Sequence, residues 1–304
     1  MATSVDRVSA QSAAPAFGRL VEPVVDFIHV GVQKAGSSWL QQALSRHPEL
    51  FTGCGSQNDK DICFFSYHYD RGYEWYERHF TEGRAARMRG EVSTSYFPCR
   101  DAPGRIARYN PRMKILVCLR NPVDRLISNH LHEIRLGHVS ERNYDLADGI
   151  RNNPAYLEQS RYYTLLKRWL REFSMENLHV TIFEHLFEAP EVHLGAIYRF
   201  LGIASEPSSD FPTEAVNARR VPVSRTFDLA ARRSARLLKG LVPAGAIRSL
   251  KRAGIHKAAT AANTRADPER LVDRALRLEL HQLFEDENAA LADLLGIDLG
   301  IWSP

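Results

Sequence analysis

Two stretches of this sequence put phosphate-binding residue types where apolar runs end. Gly31-Val32-Gln33-Lys34-Ala35-Gly36-Ser37-Ser38-Trp39-Leu40 follows the first run and leads into helical spacing. A glycine-containing turn at a helix start aims backbone N–H groups at one point, and the helix dipole makes that point attractive to an anion. Lys34 adds a charge there, and Ser37 and Ser38 add hydroxyl donors. The order is not that of a Walker A loop, because Lys34 precedes Gly36 and Ser37-Ser38 follow it. An ATPase built this way would lack its usual lysine on the β/γ-phosphates. An ordinary strand–helix turn with a solvated lysine is the other reading of the same string. The second stretch begins at Arg120, at the end of a later apolar run, with Ser128 two turns into the following helix. A charge-assisted hydrogen bond from such an arginine is worth roughly 1.5–3 kcal/mol. A structural Arg120–Asp124 pair is the alternative there. Two separate anion sites imply a ligand phosphorylated at two positions.

Four β-prone runs read as buried parallel strands: Val24 to Val30, Ala86 to Val92, Lys114 to Leu119 and Leu178 to Phe183. Helical patterns lie between them. Leu40, Ala43 and Leu44 share a face before His47-Pro48. Val123, Leu126, Ile127, His130, Leu131 and Ile134 keep 3/4 spacing, with Asn121 suited to the cap, Pro122 to the first turn and Gly137 to the stop. Tyr162, Leu165, Leu166, Trp169 and Leu170 mark a third helix, and Leu271, Ala275, Leu278, Leu283 and Leu291 a last one. Strand–helix alternation predicts an α/β fold, a three-layer P-loop-like arrangement with a central parallel sheet flanked by helices. Ligands of such sheets bind at the carboxyl ends of the strands, where both anion motifs fall.

Hydrophobic residues make up 44% of the 304 and charged residues 25%, an ordinary globular balance that excludes fibre and disordered chain. No apolar run is long enough for a membrane span. Four cysteines (Cys54, Cys63, Cys99, Cys118) fit neither a disulfide scaffold nor a zinc template, so no metal and a cytoplasmic location are expected. Residues 1–22, Ala/Ser-rich and without an apolar leader, read as a disordered tail; 23–304 read as one domain. The formal charge of +4 is too small to argue for nucleic acid. Its distribution says more. Nine Lys/Arg against one acid lie between Arg225 and Lys257, inside a basic helical segment at 225–262. That segment reads as an amphipathic pair with a solvated face, or as a membrane-surface or acceptor platform. The aromatics Phe64, Phe65, Tyr67, Tyr69, Tyr73, Trp75 and Tyr76 suggest an acceptor wall, with Trp75 and Tyr76 equally suited to a core.

These motifs carry a resemblance. Lys34 to Leu40 resembles the 5′-phosphosulfate loop of the PAPS-dependent sulfotransferases, and Arg120 to Ser128 their 3′-phosphate motif. Lys60-Asp61-Ile62-Cys63-Phe64-Phe65 is similar to the Lys-Glu-…-Phe-Phe segment of the heparan sulfate-like carbohydrate branch, and Gly90 to Phe97 to its Glu-Lys-Ser/Thr-Pro-x-Tyr-Phe segment. Phe183-Glu184-His185-Leu186, Phe200-Leu201-Gly202 and the stretch from Asp286 to Trp302 are similar to later signatures, the last to those of bacterial members. The resemblance implies transfer of a sulfuryl group from PAPS to a hydroxyl of a carbohydrate or secondary-metabolite acceptor, leaving PAP. It implies Glu91 as general base and Lys34 on the leaving phosphate. Lys34, Ala35, Gly36, Ser37 and Ser38 would bind the phosphosulfate, and Arg120 and Ser128 the 3′-phosphate. Trp39 would lie near adenine or anchor its helix in the core. Arg219 and Arg220 would close over the nucleotide or simply face solvent. His130 and His132 could assist, although His130 falls in an apolar helix stripe. The sequence has Val92 where the branch carries Lys, and Thr94 where the branch carries Pro; the Lys-Gly-Arg loop of Golgi members is not recognisable. A P-loop small-molecule or nucleoside kinase and a silent nucleotide- or polyanion-binding module are the rival functions.

Overall fold

The computed structural model describes residues 22–53, 60–140, 143, 145–203, 221–222, 264–265 and 272–304. In chain order the principal elements are β1 (Phe27–Gly31), α1 (Ser37–Ser45), β2 (Leu50–Thr52), β3 (Met88–Val92), α2 (Ala102–Tyr109), β4 (Lys114–Leu119), α3 (Pro122–Leu136), α4 (Tyr162–Trp169), β5 (Leu178–Ile182), α5 (Pro190–Leu201) and α6 (Arg274–Leu295). The chain divides into two compact units, Met1–Leu119 with Thr164–Thr213, and Arg120–Tyr163 with Glu214–Pro304. The expected disordered tail and the basic segment at 225–262 fall outside the described residues, apart from Glu22.

The first unit is built on a five-stranded parallel sheet in the order β2-β3-β1-β4-β5. Every residue of β1 is buried, as expected for a central strand covered on both faces. Gly90 of β3 pairs with Phe27, and a Cβ there would meet the Phe27 ring at 2.5 Å, so the close approach of the two strands requires glycine. β4 spans the residues its apolar run predicts. β1 begins later than its run, because the amides of Val24 and Val25 donate to the Tyr109 hydroxyl at 2.9 and 3.2 Å and leave the ladder to start beyond them. α1 and α5 cover the sheet through Trp39, Leu40 and Leu44 and through Leu194, Ile197 and Leu201, all buried.

The second unit centres on α3, whose ends follow the sequence signals. Asn121 Oδ1 accepts from the Val123 and Asp124 amides at 3.0 and 3.2 Å, Pro122 opens the helix, and Gly137 stops it in the left-handed conformation. Val123, Leu126, Ile127 and Leu131 pack with Leu146, Tyr156, Leu280 and Phe284. The buried face of α6 is therefore set by Leu280, His281, Phe284 and Leu291. Leu278 and Leu283, expected on that face, are exposed and flank it on either side, whereas Leu291 is buried as expected.

Candidate active site

The loop after β1 has the backbone an anion site needs. Gly36 caps α1 at φ +79° with no side-chain acceptor at the cap, so the first N–H groups of the helix have no partner within the helix itself. A Cβ on Gly36 would meet the Phe183 ring at 3.1 Å, in a conformation other residues resist. Lys34 also adopts a left-handed backbone, φ +73°, which is uncommon outside glycine and costs of order 1–3 kcal/mol. Ala35 and Ser37 are buried and Ser38 is half-buried. Trp39 is buried and packs on Phe187, with ring centroids 5.2 Å apart, so its indole anchors α1.

The segment Lys60–Phe65 lies against this loop. Lys60 Nζ is 3.4 Å from Ser37 Oγ and 2.9 Å from the Asp61 carboxylate. Asp61 and Cys63 are the other two non-glycine residues with positive φ among those described, +61° and +56°. All three such residues therefore surround one site, where strain of this kind tends to be stored. The Asp61 amide donates to the Val92 carbonyl at the end of β3 at 2.7 Å, and its Oδ1 accepts from the Thr94 amide at 3.2 Å. Its side chain stays 37% exposed. An open carboxylate paired with a lysine that also reaches a phosphate-loop serine is equipped to take a proton beside a bound anion.

Glu91 sits one residue before Val92 on the same strand but is fully buried. Its Oε1 accepts from the Tyr76 and Tyr96 hydroxyls at 2.7 and 2.9 Å, and its Oε2 from the Ser93 hydroxyl at 2.5 Å. Burial pushes its carboxyl up to about 7, against the pull of those three donors. Ser93 Oγ also accepts from the Cys63 amide at 3.1 Å, so a relay of two hydrogen bonds ties Glu91 to the segment bearing Asp61. The aromatics around it are core rather than wall. Phe64, Phe65 and Tyr76 are fully buried, Tyr69 and Tyr73 nearly so, and Phe64 stacks on Tyr76 at 4.7 Å; only Tyr67 is largely open. The rings are held inward because the Tyr76 hydroxyl satisfies Glu91 and Tyr109 closes the cluster at 5.5 Å. His29, on β1, is buried with its imidazole pushed down to about 3 by desolvation, then by Lys60, so it is neutral.

In the second unit, Arg120 Nη2 lies 4.0 Å from Asp124 Oδ2, and Asp124 Oδ1 also receives Arg277 at 2.5 Å. Ser128 lies one turn beyond Asp124 on α3 and is mostly buried. His130 is buried with Nδ1 3.3 Å from the Tyr156 hydroxyl, the core position its helix stripe predicts. His132 is half-buried, with its ring 2.9 Å from Arg135. Arg125 is an unforeseen feature: fully buried, it donates to Ser160 Oγ at 2.7 Å and to the Tyr156 carbonyl at 2.8 Å, and so fixes the first turns of α3. Arg219 and Arg220 lie outside the described residues.

A family profile described as "Sulfotransferase domain" matches residues 25–221. The chain belongs to the sulfotransferase domain family. The chain is 26% identical over 195 residues to human heparan sulfate glucosamine 3-O-sulfotransferase 5, covering 60% of this chain and 55% of that protein. It is 31% identical over 179 residues to human heparan sulfate glucosamine 3-O-sulfotransferase 6, covering 57% and 51%. The chain thus spans about half the length of the curated relatives it matches. A sulfotransferase from Alicyclobacillus acidocaldarius shares the fold, with TM-score 0.62, 23% identity, and coverage of 91% of this chain and 98% of that one. Among the described residues no helix is long and apolar enough to cross a membrane.

Proposed function

We propose that the protein is a PAPS-dependent sulfotransferase acting on a hydroxyl of a carbohydrate or related small-molecule acceptor. The observation that carries this is the left-handed Lys34–Gly36 turn at the head of α1, with Lys60 joining Ser37 to an open carboxylate. Those residues fit a phosphosulfate: backbone donors at a helix start, two serine hydroxyls and two lysines. Lys34, Ala35, Gly36, Ser37 and Ser38 are assigned to it, and Arg120 with Ser128 to the 3′-phosphate. PAPS, when bound, supplies the sulfuryl group and leaves as PAP. A carbohydrate acceptor is supported by the two heparan sulfate relatives, each matched over about half its length.

Two carboxylates are candidates for the general base. Asp61 is the first, because it is open, held by Lys60 and Thr94, and stands where the carbohydrate-branch segment carries Glu. It would accept the acceptor hydroxyl's proton while Lys34 and Lys60 offset charge on the departing phosphate. Glu91 is the second, favoured by a carboxyl poised at about 7, near the value an efficient base needs. Its full enclosure by Tyr76, Tyr96 and Ser93 supports a positioning role instead. Asp61→Asn and Glu91→Gln, assayed for labelled sulfuryl transfer from PAPS to hexosamine oligosaccharides and to phenols, separate the two. Loss of turnover with intact PAP affinity in Asp61→Asn, and a smaller loss in Glu91→Gln, supports Asp61. The reverse ranking assigns the proton to Glu91.

A further inference from the structure

A second cationic feature lies in the first unit, lined by none of the phosphate-loop residues. It is a surface pocket of about 610 Å³ beside α2 and the end of α4. Five arginines line it, Arg100, Arg105, Arg108, Arg168 and Arg171, against two carboxylates, Asp101 and Glu172. Asp101 is committed to Arg105 at 3.0 Å. Among the described residues no ion pair joins Glu172 to any of the five, and none neutralises Arg100, Arg108, Arg168 or Arg171.

Part of the cluster is held rigidly. Arg105 donates to the Phe65 carbonyl at 2.9 Å, and its guanidinium lies over the Tyr69 ring at 4.4 Å. Arg108 donates to the Tyr69 hydroxyl at 3.4 Å. Two of the five are thus oriented before any ligand arrives, with guanidinium N–H groups still uncommitted. Like charges gathered around one concavity repel and cost stability. An entering multivalent anion removes that cost and receives planar, bidentate donors suited to sulfate or phosphate oxygens.

We propose that this pocket is a second anion site, taking a small molecule or chain end that carries at least two sulfate or phosphate groups. The site stands on the geometry of this unit alone and does not depend on the assignment of PAPS to the phosphate loop. The Arg105 bond to the Phe65 carbonyl links the pocket to the segment holding Asp61.

The test uses the full chain and isothermal calorimetry at low and physiological salt, with PAP at saturation throughout. Pyrophosphate and a trisulfated disaccharide are the two probes, and the tighter one identifies the source of the anion. The expected result is saturable binding of at least one probe to the PAP-loaded protein, weakened by salt. Arg168→Ala with Arg171→Ala is expected to weaken it at least ten-fold while PAP affinity is unchanged. Absence of binding by both probes, or equal binding by the double variant, overturns the proposal. A chain that fails to bind PAP at all defeats the sulfotransferase reading instead, and the probes then report on this pocket independently.

Discussion

Replacing Glu91 by Gln should change how the stability of the protein depends on pH. The Glu91 carboxyl, ordinarily near 4.5, is raised to about 7 by burial. Below pH 4.5 it is protonated in both folded and unfolded chains and contributes no penalty. Between 4.5 and 7 the unfolded chain ionises while the folded one keeps its proton, so stability falls as pH rises. Above 7 the loss is complete, and a displacement of that size corresponds to about 3 kcal/mol at 1.36 kcal/mol per pH unit. Gln cannot ionise, so Glu91→Gln should gain about 3 kcal/mol relative to the parent between pH 4.5 and 8. Urea unfolding at a series of pH values reads this directly; with an m-value of about 3 kcal/mol/M the difference in midpoints grows by about 1 M. Tyr76→Phe removes a donor that stabilises the ionised form, so its curve should keep falling at higher pH than the parent's. A parent-minus-Gln difference that stays flat across this range would refute the buried, hydroxyl-clamped carboxylate.

Asp61→Asn should lower turnover by roughly 10²–10⁴-fold, the usual worth of a positioned base, with PAP affinity within about two-fold by calorimetry. Gly36→Ala places a side chain at φ +79° against Phe183; it should cost about 1–2 kcal/mol in urea unfolding and weaken PAP binding at least ten-fold. Arg125→Met removes a buried charge that has no carboxylate partner among the described residues; without its bonds to Ser160 and the Tyr156 carbonyl the start of α3 should loosen, and PAP affinity by calorimetry should fall.

The sequence discloses those elements whose signals are local. Lys114–Leu119 is a continuous apolar run, and its strand has the same limits; Asn121, Pro122 and Gly137 set the ends of α3 through caps that need no tertiary context. β2 has only three residues, too few to show a period in the sequence. The aromatic run after Lys60 suggests a wall, with Trp75 and Tyr76 equally suited to a core, and composition cannot say that Tyr76 and Tyr96 turn inward to satisfy a buried carboxylate. Asp61 is visible as the acidic member of a recognisable segment, but its left-handed backbone and its pairing with the lysine that reaches Ser37 are not encoded in spacing. Glu91 drew attention by its motif, whereas its enclosure is a property of the packed sheet.

The phosphate loop is proposed to hold a PAP-type nucleotide rather than ATP. Calorimetric titration of the protein with PAP and with magnesium–ATP tests it most directly, alongside Lys34→Ala. Saturable PAP binding is expected, at least ten-fold weaker in Lys34→Ala, with little heat from ATP. Tighter binding of ATP than of PAP would contradict it.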